Sequence, residues 1–213
     1  MNIIIFGATG DVGSRVAKEA VSRGHSVTGV IRSLEKADKL SEGVKARIGN
    51  AGLSKQVSEL SRGHDLIVSA VRPPEGQEQR LVTMTEAILV GAAESEVRTI
   101  VVGGAARLMI PGENEYNVLK KPGFLPASVE PIGKACLEQY QICLENNNVN
   151  WTYISPPALL RSVFLTDQYP LGKYALFVHS DRASKISMED FAVAILDEAE
   201  NKKHQQNAFT VAY

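Results

Sequence analysis

Cysteine is scarce in this chain: Cys136 and Cys143 are the only two among 213 residues. They stand seven apart on what reads as one helix, two turns from each other. A disulfide joins Cα atoms about 4.4–6.8 Å apart, so these two cannot bridge. A disulfide-stapled scaffold is excluded, and two reduced thiols predict a cytoplasmic setting. Excess charge is missing as well, with 23 Lys and Arg against 24 Asp and Glu. The basic residues are scattered, so there is no electrostatic footprint for nucleic acid or an anionic bilayer. No apolar run reaches the roughly 20 residues of a membrane-spanning helix. The first residues already read as a core strand, which leaves no room for a secretory leader. Histidine is sparse too, with four residues. His25 and His64 follow glycines as turn residues do, His179 and His204 have no ligand spacing, and no cysteines or carboxylates gather around them. No metal site is expected.

What is present is an ordinary composition, 44% hydrophobic, in a chain long enough for one full-sized core, read as a single domain over 1–213. Asn2-Ile3-Ile4-Ile5-Phe6 runs into Gly7-Ala8-Thr9-Gly10-Asp11-Val12-Gly13. A buried strand thus ends in a glycine loop, and a helix begins with apolar Val12, Val16, Ala17, Ala20 and Val21. A dinucleotide pyrophosphate is received in this way. Glycine at 7 permits the tight turn, glycine at 10 removes the Cβ that would hold the phosphates off, and glycine at 13 lets the helix pack on the strand. The helix N-terminus adds unpaired N–H groups and the positive end of a dipole. Thr9, Asp11 and Val12 complete the expected contact set. A glycine-rich turn with no ligand is the alternative, but the flanking strand and helix meet the context the motif requires.

Beyond the loop, apolar β-type runs alternate with helical patterns, which predicts parallel βαβ units. Strands are expected over 2–6, 26–31, 44–48, 65–71, 97–103 and 150–154, and helices near 12–23, 34–40, 53–61, 77–95, 131–147 and 188–200. Phe209-Thr210-Val211-Ala212-Tyr213 is a last apolar run. The expected fold is α/β: a Rossmann-type doubly wound, mostly parallel sheet with helices on both faces and a small substrate-side elaboration toward the C-terminus. The cofactor should lie across the strand C-terminal ends. The stretch 104–130 is too long for a plain connection and is expected to wall or cover the substrate.

The strand ends point to the type of dinucleotide. A NAD-type site carries an acid at the end of its second strand, about 20 residues past the glycines. Here Gly29-Val30-Ile31-Arg32-Ser33 has none. A guanidinium and a hydroxyl suit a 2′-phosphate instead, so NADP(H) is expected over NAD(H), with a solvated arginine as the alternative. Lys36, a turn further on, either contributes or faces solvent. Asn50 follows the third strand and is placed at the adenine edge. Ser69, Ala70 and Val71 after the fourth strand, and Gly103 and Gly104 after the fifth, are small where backbone must approach ribose, pyrophosphate and nicotinamide. Pro156 and Pro157 follow the sixth strand, where a missing N–H costs nothing, and wall the nicotinamide end.

Several blocks together touch nearly the whole chain: GATGDVG at 7–13, GHSVTGVIR at 24–32, VVGGAARL at 101–108, WTYISPPALL at 151–160, LGKY at 171–174 and SKISMEDFAVAILDE at 184–198. On these blocks the sequence resembles the atypical short-chain dehydrogenase/reductases of the NADH-flavin reductase group. It is similar also to the biliverdin-IXβ/flavin reductases and to NmrA-like NAD(P)-binding proteins. The glycine motif is shared by many families, whereas the VVGGA, WTYISPP and SKISMED blocks are more selective. The resemblance implies a Rossmann domain holding NADPH in an extended pose, its nicotinamide facing a shallow pocket for a flavin or similarly flat acceptor.

The family's catalytic signature is only half present. Short-chain dehydrogenases place Tyr-x-x-x-Lys on the helix after the fifth strand, the lysine lowering the tyrosine pKa for general-acid work. Tyr116-Asn117-Val118-Leu119-Lys120 matches by spacing, but Lys121-Pro122-Gly123 breaks any helix there. Aligned by the helix that precedes Trp151, the lysine falls on Lys134 and the tyrosine position on Glu130. Tyr116 is therefore read as a decoy. The catalytic and cofactor assignment falls on Lys134, which either touches the nicotinamide ribose or stands as a solvated helix lysine. Hydride transfer to an electron-poor ring needs no general acid, only stacking, distance and dryness. NADPH-dependent reduction of a flavin (FMN or FAD) or related planar acceptor is the leading function. The alternatives are a non-catalytic NADP(H) sensor and a sugar-nucleotide epimerase or dehydratase. The expected partner is that small planar acceptor, with no nucleic acid or membrane, in a monomer or homodimer. Ser187-Met188-Glu189-Asp190 imitates a serine–acid pair but reads as a helix capping box, and Trp151 reads as a packing residue.

Overall fold

The computed structural model describes residues 1–113, 115–161, 169–176 and 184–213. Its strands in chain order are β1 (Asn2–Phe6), β2 (Ser26–Ile31), β3 (Val44–Ile48), β4 (Leu66–Ser69), β5 (Arg98–Val102) and β6 (Trp151–Ser155). Four shorter or later ones follow: β7 (Leu159–Arg161), β8 (Leu171–Gly172), β9 (Lys185–Ser187) and β10 (Asn207–Val211). The apolar run in β1 explains its place. Alternation sends successive side chains to opposite faces, so Ile3 and Ile5 join one core cluster while Ile4 and Phe6 join another. A strand buried on both faces belongs in the middle of a parallel sheet. There β1 pairs in parallel with β2 on one side and β4 on the other.

The main sheet has the order β3-β2-β1-β4-β5-β6-β10-β8. All its pairings are parallel except that of β8 with β10. Strand order reverses between β1 and β4, the switch point at which a dinucleotide lies in a doubly wound sheet. Helices cover both faces. On the Ile3 and Ile5 side, α1 (Asp11–Ser22) contributes Val16, Ala17 and Ala20. The last helix of the chain, Met188–Asn201, adds Phe191, Ile195 and Leu196 to the same face. On the other side Val57 comes from α2 (Ser54–Ser61), Ile88 and Leu89 from α3 (Arg80–Ser95), and Cys143 from α4 (Glu130–Glu145). The Met188–Asn201 helix is α5. Each fully buried aliphatic side chain contributes about 1.5–3 kcal/mol, so this two-sided burial holds the switch point rigid.

Three details differ from the expected outline. The 34–40 element is a 3-10 helix, Leu34–Lys39, with no buried residue, so packing does not enforce an α-helix. The last strand runs Asn207–Val211, earlier than the apolar run suggested, because Tyr213 has left the ladder and donates its N–H to Lys185 O. The stretch 104–130 carries a 3-10 turn at Ala105–Arg107 and a small core of Leu108, Val118 and Leu176 that ties it to the chain around β8. Two local readings hold. Ser187 Oγ accepts the Asp190 N–H at 2.9 Å and caps α5. Trp151 is buried, its indole N–H donating to Asn146 O at 3.0 Å. His179 lies outside the described residues.

Candidate functional site

Of the three motif glycines, the fold itself demands two. Gly7 has φ +89°, in the left-handed region, and a Cβ there would stand 2.3 Å from Ala70 O, because the loop crosses over the end of β4. A Cβ on Gly13 would lie 2.1 Å from Gly7 O, so α1 sits against the loop only through a glycine. Gly10 differs. Its φ is −84°, it is exposed, and a side chain there meets nothing nearer than Gly7 O at 3.4 Å. No contact among the described residues explains the missing side chain, and the open backbone here can be approached by a ligand.

The amides around Gly10 fit the same ligand. Gly10 N–H donates to Gly7 O at 3.0 Å and Ser14 N–H to Gly10 O at 2.9 Å, closing the loop and the first helical turn. No side chain caps α1. The amides of Asp11, Val12 and Gly13 are left at the helix N-terminus, where unpaired N–H groups and the dipole favour an anion. Thr9 is half-buried beside them, Asp11 is exposed, and Val12 packs partly on the core under α1.

At the end of β2, Arg32 is exposed and bonds to none of the described residues. Ser33 precedes the 3-10 turn without capping it. Asn50 is more committed than its sequence suggested: its Oδ1 accepts the Gly52 N–H at 3.0 Å, leaving the side-chain NH2 for a ligand. Ser69 closes β4, fully buried, with an Oγ that has no partner among the described residues. Ala70 and Val71, half-buried, continue from it under the glycine loop.

The β5 end has an internal reason for its small residues. A Cβ on Gly103 would lie 1.9 Å from Tyr153 Cζ, and one on Gly104 2.8 Å from Cys136 Sγ. The Tyr153 hydroxyl donates to Cys136 O at 2.9 Å and accepts the Gly104 N–H at 3.2 Å. Burial pushes this hydroxyl well above its ordinary range, so it stays neutral. Burial likewise raises the thiols, Cys136 to about 11 and Cys143 to about 12, which leaves both protonated and unreactive. Pro156 and Pro157 are buried just past β6. Lys134 lies in the first turns of α4 with its side chain 63% exposed, its ammonium 3.9 Å from the Glu130 carboxylate. Tyr116 sits off α4, in the 104–130 stretch, with Lys121 rather than Lys120 over its ring at 5.3 Å.

One charged group here escaped the sequence reading. Arg107, the single ionisable residue of the VVGGAARL block, donates through Nε to Ser155 Oγ at 2.8 Å. Its Nη2 donates to Lys173 O and Phe209 O, each at 3.2 Å. The guanidinium lies 4.9 Å from the ring centre of Tyr140 and 5.9 Å from that of Tyr153. Burial lowers its pKa, and no carboxylate among the described residues pairs with it. A charge inside an otherwise small and apolar strand end was the signal available.

A model of the NAD(P)H-binding family matches residues 7–202. The chain belongs to the NAD(P)H-binding family. Uncharacterized protein YwnB of Bacillus subtilis is 30% identical over 217 residues, spanning 99% of this chain and 98% of that one. A Bacteroides thetaiotaomicron structure described as a "putative epimerase" is 33% identical with TM-score 0.90, covering 100% of this chain and 96% of its own. A Streptococcus pneumoniae structure described as a "putative NADH-flavin reductase" is 26% identical with TM-score 0.89, covering 100% and 99%. This NAD(P)H-binding chain therefore has an oxidoreductase-like Rossmann fold. None of its described helices is long and apolar enough to cross a membrane.

Proposed function

We propose that the chain is an NADPH-preferring oxidoreductase that reduces a flavin, FMN or FAD, or a similarly planar acceptor. The observation that carries the reading is Gly10: a glycine with no internal cause among the described residues, at a helix N-terminus no side chain of theirs caps, at the switch point of the sheet. In this reading the amides of the Gly7–Gly13 loop hold the pyrophosphate, and Arg32 with Ser33 holds the 2′-phosphate. The NH2 of Asn50 meets the adenine, and Ser69, Ala70 and Val71 line the middle of the groove. Gly103, Gly104 and Pro156 border the nicotinamide, with Lys134 on its ribose. When bound, NADPH supplies a hydride, which with a proton from solvent reduces the acceptor ring.

Flavin chemistry is favoured over alcohol or sugar-nucleotide chemistry because α4 carries Glu130 where a tyrosine acid is needed, and Tyr116 lies elsewhere. Two unbridged thiols support a cytoplasmic setting for this activity. The test is anaerobic mixing of the protein with NADPH and excess FMN. The reading expects flavin and NADPH absorbance to fall together over many turnovers, faster than with NADH. Binding of NADPH without any loss of flavin absorbance contradicts it and leaves a sensor of NADP(H).

A further inference from the structure

We propose that Arg107 binds an oxyanion, phosphate or carboxylate, carried by the planar acceptor; this rests on the reductase reading for the identity of the acceptor. Arg107 ends the 3-10 turn that follows β5 and bonds to the last residue of β6 and to β10, so its guanidinium sits at the C-terminal edge of the sheet, beyond the switch point. That is the side on which the acceptor must meet the nicotinamide. Of the five N–H donors of a guanidinium, Nε and both hydrogens of Nη2 are used within the protein. Nη1 bonds to none of the described residues and is not sealed from solvent.

A part-buried cation normally has its desolvation offset by a carboxylate. Here tyrosine rings take that place, Tyr140 and Tyr153 within cation–π range. Burial keeps both hydroxyls neutral, so the rings bring no negative charge. The guanidinium is thus fixed by three hydrogen bonds, finds no countercharge among the described residues, and presents one edge that bonds to none of them. An acceptor bearing an oxyanion supplies the countercharge through a charge-assisted hydrogen bond, and the fixed geometry reduces the ordering cost of forming it.

The test measures binding without turnover. Protein saturated with NADP+ is titrated with two matched pairs: FMN against riboflavin, and anthraquinone-2-carboxylate against its amide. The pair that discriminates identifies the oxyanion as phosphate or carboxylate. In the parent, at least one anionic member should bind about tenfold or more tighter than its neutral twin, the effect of one charge-assisted bond. In Arg107→Gln that ratio should fall to about one, while Arg107→Lys retains part of it. If neither pair discriminates in the parent, or the preference survives in Arg107→Gln, the proposal is overturned. It is also overturned if Arg107→Gln weakens both members of each pair equally and lowers the melting temperature, since Arg107 is then only a brace between β6, β10 and Lys173 just past β8. Anion preference with no NADPH-driven reduction leaves Arg107 in its role and removes the reductase reading; reduction without anion preference does the reverse.

Discussion

Gly10 and Gly103 both follow parallel strands at the same edge of one sheet, yet the space beyond them differs. A side chain on Gly103 would run into the Tyr153 ring at 1.9 Å, whereas one on Gly10 meets its nearest neighbour at 3.4 Å. The first glycine makes room for the protein's own core. Gly10 borders space that none of the described residues fills. A small residue at a strand end reports that something approaches closely, and only the packing says what.

The sharpest way to break this contrast is Gly103→Ala. Tyr153 is fully buried and bonded at its hydroxyl, so it has nowhere to retreat. Overpacking of this kind costs about 1–3 kcal/mol or more. A thermal melt should show the loss, at about 2–4 °C for each kcal/mol in a chain of this size. An unchanged melting temperature means the β5 end has slack that the structure does not show.

Arg32→Ala probes the cofactor side. The side chain is exposed and bonds to none of the described residues, so stability should hold while NADPH affinity falls by about 1.5–3 kcal/mol, the range for hydrogen bonds to charged groups. NADH affinity should barely move, and equal losses for both cofactors remove Arg32 as the reader of the 2′-phosphate. Lys134→Ala should raise the KM for NADPH several-fold without shifting the melting temperature, because a 3.9 Å exposed ion pair contributes little. The smallest effect is expected from Tyr116→Phe, with flavin reduction within a few-fold of the parent. A general acid contributes about 10²–10⁴-fold, so a loss on that scale returns Tyr116 to the chemistry.

Much of the fold was legible because β1 to β6 and most helices between them are encoded by local periodicity, and Gly13 by its closeness to the Gly7 carbonyl, whereas the clash at Gly7 comes from Ala70 at the end of β4. The strands β7 and β9, of three residues each, and β8, of two, carry too little pattern to be seen. Asn50 looked free because its bond to Gly52 depends on how the turn closes. The packing demand on Gly103 was hidden because nothing in the sequence brings Tyr153, fifty positions on, against it. Arg107 was hidden for the same reason. Its partners Ser155, Lys173 and Phe209 lie 48, 66 and 102 residues away and meet only when the sheet forms.

The central claim, that the open loop at α1 holds the dinucleotide, is tested most directly by melting Gly10→Val with and without NADPH. Gly10 has an ordinary φ and free space around its Cβ position, so without cofactor the variant should stay folded and lose no more than the roughly 0.5–2 kcal/mol of a poor N-cap residue. A branched side chain in the path of the pyrophosphate should abolish the stabilisation that NADPH confers on the parent. If NADPH raises the melting temperature of Gly10→Val as much as that of the parent, the dinucleotide lies elsewhere and the account is wrong.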